Sequence, residues 1–158
     1  MIQHIPLEKI LFLDIETVPQ AGNWEELHET DQYLWDKKTR MQRKEDVTSQ
    51  EFYNERGGIM AEFGKIICIS VGILEKSEKL MIKSFSGDDE RKLLEEFGEI
   101  FNHPKLHDVI LCAHNGKEFD FPWIARRFLI NGMQPPKPFQ MFGKKPWEIP
   151  HLDTMELW

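Results

Sequence analysis

The chain has 158 residues, 41% of them hydrophobic, which is enough for one ordinary domain with its own core. Its 20 Lys and Arg against 27 Asp and Glu leave a formal net charge of −7, which excludes a protein that binds nucleic acid chiefly through overall positive charge. The first apolar run, Ile10–Leu13, meets Asp14 and Glu16 at once, so it fits neither a signal peptide nor a membrane span. The only cysteines, Cys68 and Cys112, lie inside apolar runs, so free thiols in a reducing cytoplasm are expected.

Lys9 to Thr17 opens with four consecutive apolar residues, which predicts a strand buried on both faces. Residues 19–58 then read as a polar, partly helical insertion, with Trp24, Leu27, Leu34 and Trp35 at roughly helical spacing and Gly57-Gly58 at its end. Lys65–Leu74 and Lys79–Phe85 are predicted to pair as a hairpin across a Glu-Lys-Ser-Glu turn. Ser86-Gly-Asp-Asp-Glu starts a helix whose apolar face is Leu93, Leu94, Phe97, Ile100 and Phe101 and which Pro104 ends. Asp108–Ala113 is a short strand, His114–Asp120 a polar loop, and Phe121–Ile130 an amphipathic helix closed by Asn131-Gly132. Met133–Pro150 carries five of the nine prolines and is expected to be a structured connection, and His151–Leu157 a last strand. The order β-β-β-α-β-α-β predicts a single α/β domain over residues 1–158.

Two constellations carry chemistry. In Leu13-Asp14-Ile15-Glu16-Thr17 the carboxylates are two apart, so on a strand they leave the same face about 6–7 Å apart, a spacing suited to shared ligation of hard cations. They also follow directly on the apolar run, where open α/β sheets place their sites. Taken alone, Asp14 and Glu16 are better explained as solvated acids at a polar strand end. The second constellation, His114-Asn115-Gly116-Lys117-Glu118-Phe119-Asp120, delivers an amide, an aromatic ring and a carboxylate from a strand-to-helix loop. Here a helix cap at Asp120 and a core anchor at Phe119 are the competing explanation. Together, three carboxylates at neighbouring strand ends are costly unless a metal neutralises them.

These two segments resemble the first two motifs of the DEDD superfamily of 3′–5′ exonucleases. Glu62-Phe-Gly-Lys-Ile-Ile-Cys-Ile-Ser-Val-Gly and Ser84-Phe-Ser-Gly-Asp-Asp-Glu-Arg-Lys-Leu-Leu-Glu-Glu-Phe further resemble predicted exonucleases related to the exonuclease domain of family B DNA polymerases. The resemblance implies a ribonuclease H-like fold, a mixed sheet flanked by helices. It implies that Asp14 bridges two Mg²⁺ or Mn²⁺ ions, that Glu16 ligates the first, and that Asp120 holds the second mainly through water. Asn115 and Phe119 would position the 3′-terminal nucleotide of a single strand, with Thr17 near its 3′ end, for two-metal phosphodiester hydrolysis.

The family's third motif, Tyr-x-x-x-Asp or His-x-x-x-x-Asp on a later helix, has no counterpart after Asp120. His151 is followed by Glu156 five positions on, in a stretch that reads as strand. The chain is therefore expected to stop before the catalytic helix, to bind metal weakly, to turn over little, and to be open to self-association through an uncovered C-terminal strand. Two rival functions remain: a non-catalytic nucleic-acid-binding or scaffolding module of the same fold, and a glycosidase using Asp14 and Glu16 as acid and base. His103 and His107 flank Pro104, which breaks the helix that a one-face zinc pair would need. Lys37, Lys38, Arg40, Arg43 and Lys44 read as a solvated helix face in preference to a phosphate-tracking surface, and Asp153 as a strand-end residue near the site.

Overall fold

Alternation along the first strand settles which way its acids face. In β1 (Ile10–Pro19) Leu11, Leu13 and Ile15 are buried, while Phe12, Asp14 and Glu16 are exposed. The expectation of a strand buried on both faces is thus corrected: Phe12 is 40% exposed, because alternation puts it on the exposed face with Asp14 and Glu16. The computed structural model describes residues 5–75 and 79–157, and part of the expected Glu-Lys-Ser-Glu turn, at 76–78, lies outside them.

Five strands form one mixed sheet in the order β3-β2-β1-β4-β5. β2 (Gly64–Leu74) and β3 (Leu80–Ser86) are the expected antiparallel hairpin, with Ser70 opposite Ser84 and their hydroxyls 2.9 Å apart. β4 (Ile110–Ala113) runs parallel to β1, and β5 (Leu152–Asp153) parallel to β4. With flanking helices this is the α/β sheet that the element order predicts and the mixed, ribonuclease H-like arrangement that the resemblance implies. The strand expected over His151–Leu157 is only two residues long. The chain turns helical at once as α5 (Thr154–Leu157), because Asp153 accepts the Met155 N–H at 3.0 Å and bends the backbone out of the ladder. So short an edge offers little template for pairing with another strand.

The chain divides into two compact units, residues 1–16 with 67–158 and residues 17–66. In the first, α3 (Glu90–Glu99) is capped by Asp89, which accepts the Lys92 N–H, and α4 (Asp120–Ile130) ends at Gly132 with φ +72, where Met133 N–H reaches back to the Phe128 carbonyl. Phe97 is the hub of the core, with the rings of Phe85, Phe101, Phe128 and Phe139 all centred 5.3–6.4 Å from it. A buried ion pair joins the two helices: Arg127 donates to both oxygens of Glu90, at 2.8 and 2.5 Å. In the second unit, α1 (Glu29–Thr39) and α2 (Ser49–Arg56) enclose a small core of Leu27, Trp35, Tyr53 and Phe63. Thr48 and Glu51 form a reciprocal cap at the start of α2. Two of the five clustered basic residues are spent on local ion pairs, Lys38 with Glu62 and Arg43 with Asp36.

Candidate active site

The three parallel strands end on the same side of the sheet. Phe12 stands opposite Cys112, Cys112 opposite Leu152, and Ala113 opposite Asp153. Asp14 and Glu16, in the middle of β1, stand just past the stretch that pairs with β4, while His114 and Asn115 follow the end of β4 and Thr154 follows Asp153 at the end of β5. Parallel strands put their carboxyl ends together, and a ligand crevice forms there.

Asp120 joins this group from the first residue of α4. Its carboxylate accepts the backbone N–H of Ile15, between Asp14 and Glu16 on β1, as well as its own N–H. It is therefore not a helix cap; the cap position is Phe119, whose side chain caps nothing. Asp120 is only 4% exposed. Burial first, and then the negative charges of Asp14 and Asp153, push its carboxyl up to about 6, while the two backbone hydrogen bonds pull the other way.

The loop between β4 and α4 is held by the acid that the sequence placed only near the site. Asp153 accepts the N–H of Asn115 at 2.8 Å, of Lys117 at 3.1 Å and of Met155 at 3.0 Å. Burial raises its carboxyl, but these hydrogen bonds and the Lys117 charge outweigh burial and leave it below the usual carboxylate range. The bonds suit a left-handed turn at Asn115, φ 58. At Gly116 a Cβ would lie 2.5 Å from the Ala113 Cβ and 2.9 Å from the Phe121 ring, so the loop can pack there only without a side chain. Thr154 Oγ1 lies 2.9 Å from His114 Nδ1, and Lys117 pairs with Glu156 at 2.7 Å. Glu156 thus sits on a helical turn rather than the expected strand, facing the loop.

His151 braces the same strand from inside. Its Nδ1 accepts the Leu111 N–H at 3.2 Å and its Nε2 lies 2.7 Å from the Pro138 carbonyl, which defines a neutral ring protonated on Nε2. Burial holds its pKa below the ordinary histidine value.

The structure brings Asp14 and Asp120 into one electrostatic group and puts Glu16 on the exposed face with Asp14. Asn115 is exposed on the loop, and the half-buried Phe119 ring is tilted against Trp123 at 6.2 Å. Thr17 belongs to the second unit, where its hydroxyl donates to the Gly58 carbonyl at 2.7 Å. His103 and His107 are not a pair: His103 Nδ1 accepts the Lys105 N–H, and His107 lies beside Asp108 at 3.4 Å. Sequence reasoning missed Asp153 as the anchor of the loop and His151 as its support; the His-Leu-Asp-Thr run after the proline-rich segment was the available signal.

Among the described residues no three His, Cys, Asp or Glu side chains are arranged to hold a metal ion. The donor chemistry nevertheless fits a hard divalent cation. Asp14 and Asp120 are oxygen donors, and the raised Asp120 carboxyl marks a local excess of negative charge that a cation would relieve.

A mixed sheet with acids gathered at its carboxyl ends is the architecture of ribonuclease H-like proteins. The profile of the RNase_H superfamily matches residues 52–157, and the chain belongs to that superfamily. The match takes in Asn115, Phe119, Asp120 and Asp153. Among solved structures, the chain is similar to E. coli exonuclease I in complex with a dT13 oligonucleotide, with a TM-score of 0.51 and 11% identity over 94% of this chain and 28% of that one. It is also similar to the family B DNA polymerase of the hyperthermophilic archaeon Pyrobaculum calidifontis, with a TM-score of 0.43 and 16% identity over 78% of this chain and 11% of that one. The chain thus spans well under a third of either protein. No curated protein matches the sequence. No helix among the described residues is long and apolar enough to cross a membrane.

Proposed function

We propose that this chain is the exonuclease domain of a 3′–5′ exonuclease that hydrolyses the terminal phosphodiester of nucleic acid, with single-stranded DNA as the substrate and Mg²⁺ or Mn²⁺ as cofactor. One observation carries the reading: the buried Asp120 carboxylate is bound to the Ile15 N–H, which joins the two motifs midway along β1. The family membership and the likeness in fold to an exonuclease that holds a dT13 oligonucleotide are consistent with it.

In this reading Asp14, Glu16 and Asp120 would hold two ions. When bound, the ions would supply the Lewis acidity that activates water and stabilises the departing 3′ oxygen. The chain's own residues do the rest. Asp120, fixed to β1, sets the distance between α4 and the strand acids. Asp153 holds the Asn115–Lys117 loop, from which Asn115 donates to the terminal nucleotide and Phe119 offers an aromatic face to its base. Residues 19–58 are an insertion in this domain, and Cys68 and Cys112 remain thiols in a cytoplasmic setting.

One observation favours a second reading, that of a non-catalytic nucleic-acid-binding module: the described acids form no ready group of three around an ion. Calorimetric titration with Mn²⁺ beside a 3′-labelled oligonucleotide assay separates the two. The nuclease reading expects Mn²⁺ heat that disappears in Asp120→Asn and shortening from the 3′ end that stops in chelator. Oligonucleotide bound but intact, with no Mn²⁺ heat, establishes the module instead.

A further inference from the structure

We propose that the segment Met141–Glu148 is a stacking platform for single-stranded nucleic acid, with Phe142 and Trp147 taking bases and Lys144 and Lys145 taking phosphates. The inference rests on the nucleic-acid reading above and adds to it a binding surface outside the acidic site.

The segment is two consecutive braced turns, each with an aromatic ring at its tip. Lys144 N–H bonds back to the Met141 carbonyl at 3.1 Å across Phe142 and Gly143, and Gly143 takes φ +75, the left-handed conformation this position of the turn needs. In the second turn Glu148 N–H bonds to the Lys145 carbonyl at 2.9 Å while the Glu148 side chain accepts the Lys145 N–H at 2.7 Å. The two rings that these turns carry do not pack into the core: Phe142 is 60% exposed and Trp147 77%. The Lys145 ammonium stands 5.2 Å from the centre of the Trp147 ring.

Charge selects the partner. Across 141–148 there are two lysines and one glutamate, in a chain whose net charge is −7. A local excess of cations interleaved with exposed aromatic rings is what a single strand requires, because every base has a π-face and every linkage a negative charge. The segment also lies close to the site. It leads into His151, whose buried Nδ1 accepts the Leu111 N–H of β4. A strand lying on the two turns is thus carried toward the ends of β4 and β5.

The test is fluorescence anisotropy of a labelled oligo-dT in chelator, so that binding is read without cleavage. Trp147→Ala should weaken binding at least about fivefold, the loss of about 1 kcal/mol of base stacking, and Trp147→Phe should recover most of it. Lys144→Ala with Lys145→Ala should reduce the log–log salt slope by about 1.4, since each phosphate contact on a single strand contributes about 0.7. The exposure of these side chains leaves the fold intact, which circular dichroism checks. Unchanged affinity and slope in these variants would overturn the platform and assign the rings to a protein partner, while Mn²⁺ heat sensitive to Asp120→Asn would leave the nuclease reading standing. Failure of the unsubstituted chain to bind any oligonucleotide would overturn the platform outright.

Discussion

The Asp120 carboxylate accepts the backbone N–H of Ile15, so the first residue of α4 is fastened to β1 between Asp14 and Glu16. A side chain that looks like a helix cap in sequence instead reaches across to the central strand. It does so at an electrostatic cost that burial and two neighbouring acids impose.

Asp14→Asn tests the site directly. Asp14 is exposed and faces no core residue, so the substitution should leave the fold unchanged. On the proposed nuclease reading, Mg²⁺- or Mn²⁺-dependent shortening of a 3′-labelled oligonucleotide should fall by at least about 100-fold, because losing a ligand would cost more than losing a partner of a ligand. Digestion at the original rate would remove Asp14 from the site.

The raised Asp120 carboxyl predicts a pH dependence of stability in the metal-free chain. Its folded value, about 6, lies above the ordinary 3.8, so the folded state holds the proton more tightly. The contribution is therefore fully present below about pH 3.8 and is lost as pH rises through about 6, and it amounts to no more than about 3 kcal/mol. Asp120→Asn should raise the thermal midpoint in chelator at pH 7.5 and change it little near pH 4. Thermal denaturation at both pH values reads this, and an equal shift at both would show that Asp120 has the same pKa in the folded and unfolded chain.

His151 acts in the opposite direction. Its folded pKa is lowered by burial, so its contribution is present above the unfolded value near 6.5 and is lost as pH falls below it. His151→Gln should cost about 1–3 kcal/mol at pH 7.5, from the two buried hydrogen bonds, and should flatten the acid limb of the stability curve below pH 6.5. Urea denaturation across that range measures both.

Asp153→Ala removes one acceptor from three backbone N–H groups at once. The expected loss is about 2–3 kcal/mol, and amide exchange at Asn115 and Lys117 should rise sharply while the Phe97 cluster stays protected. Unchanged exchange at those two amides would show that the loop is held by something else.

Gly116→Ala should be destabilising by about 1–3 kcal/mol, since the added methyl meets Ala113 and Phe121, neither of which is the free end of a flexible chain. A midpoint within error of the parent in thermal denaturation would mean that the β4–α4 loop relaxes without cost.

The sequence by itself determined the elements whose signals are local. The apolar run before Asp14, the hairpin of β2 and β3, the Asp89 cap of α3 and the Asn131-Gly132 stop after α4 can all be read from hydrophobic period and turn chemistry, which act over a few residues. The same local rule paired Asp14 with Glu16 on one face. It could not settle what covers that face, and so the strand expected to be buried on both sides exposes Phe12. Only the tertiary structure decided the partners of Asp120 and Asp153, because a carboxylate that accepts a backbone N–H more than 30 residues away leaves no pattern in its own neighbourhood. It also decided that the chain leaves the sheet after Asp153, where Asp153's hydrogen bonds to the loop and to Met155 outweigh the strand propensity of the residues that follow.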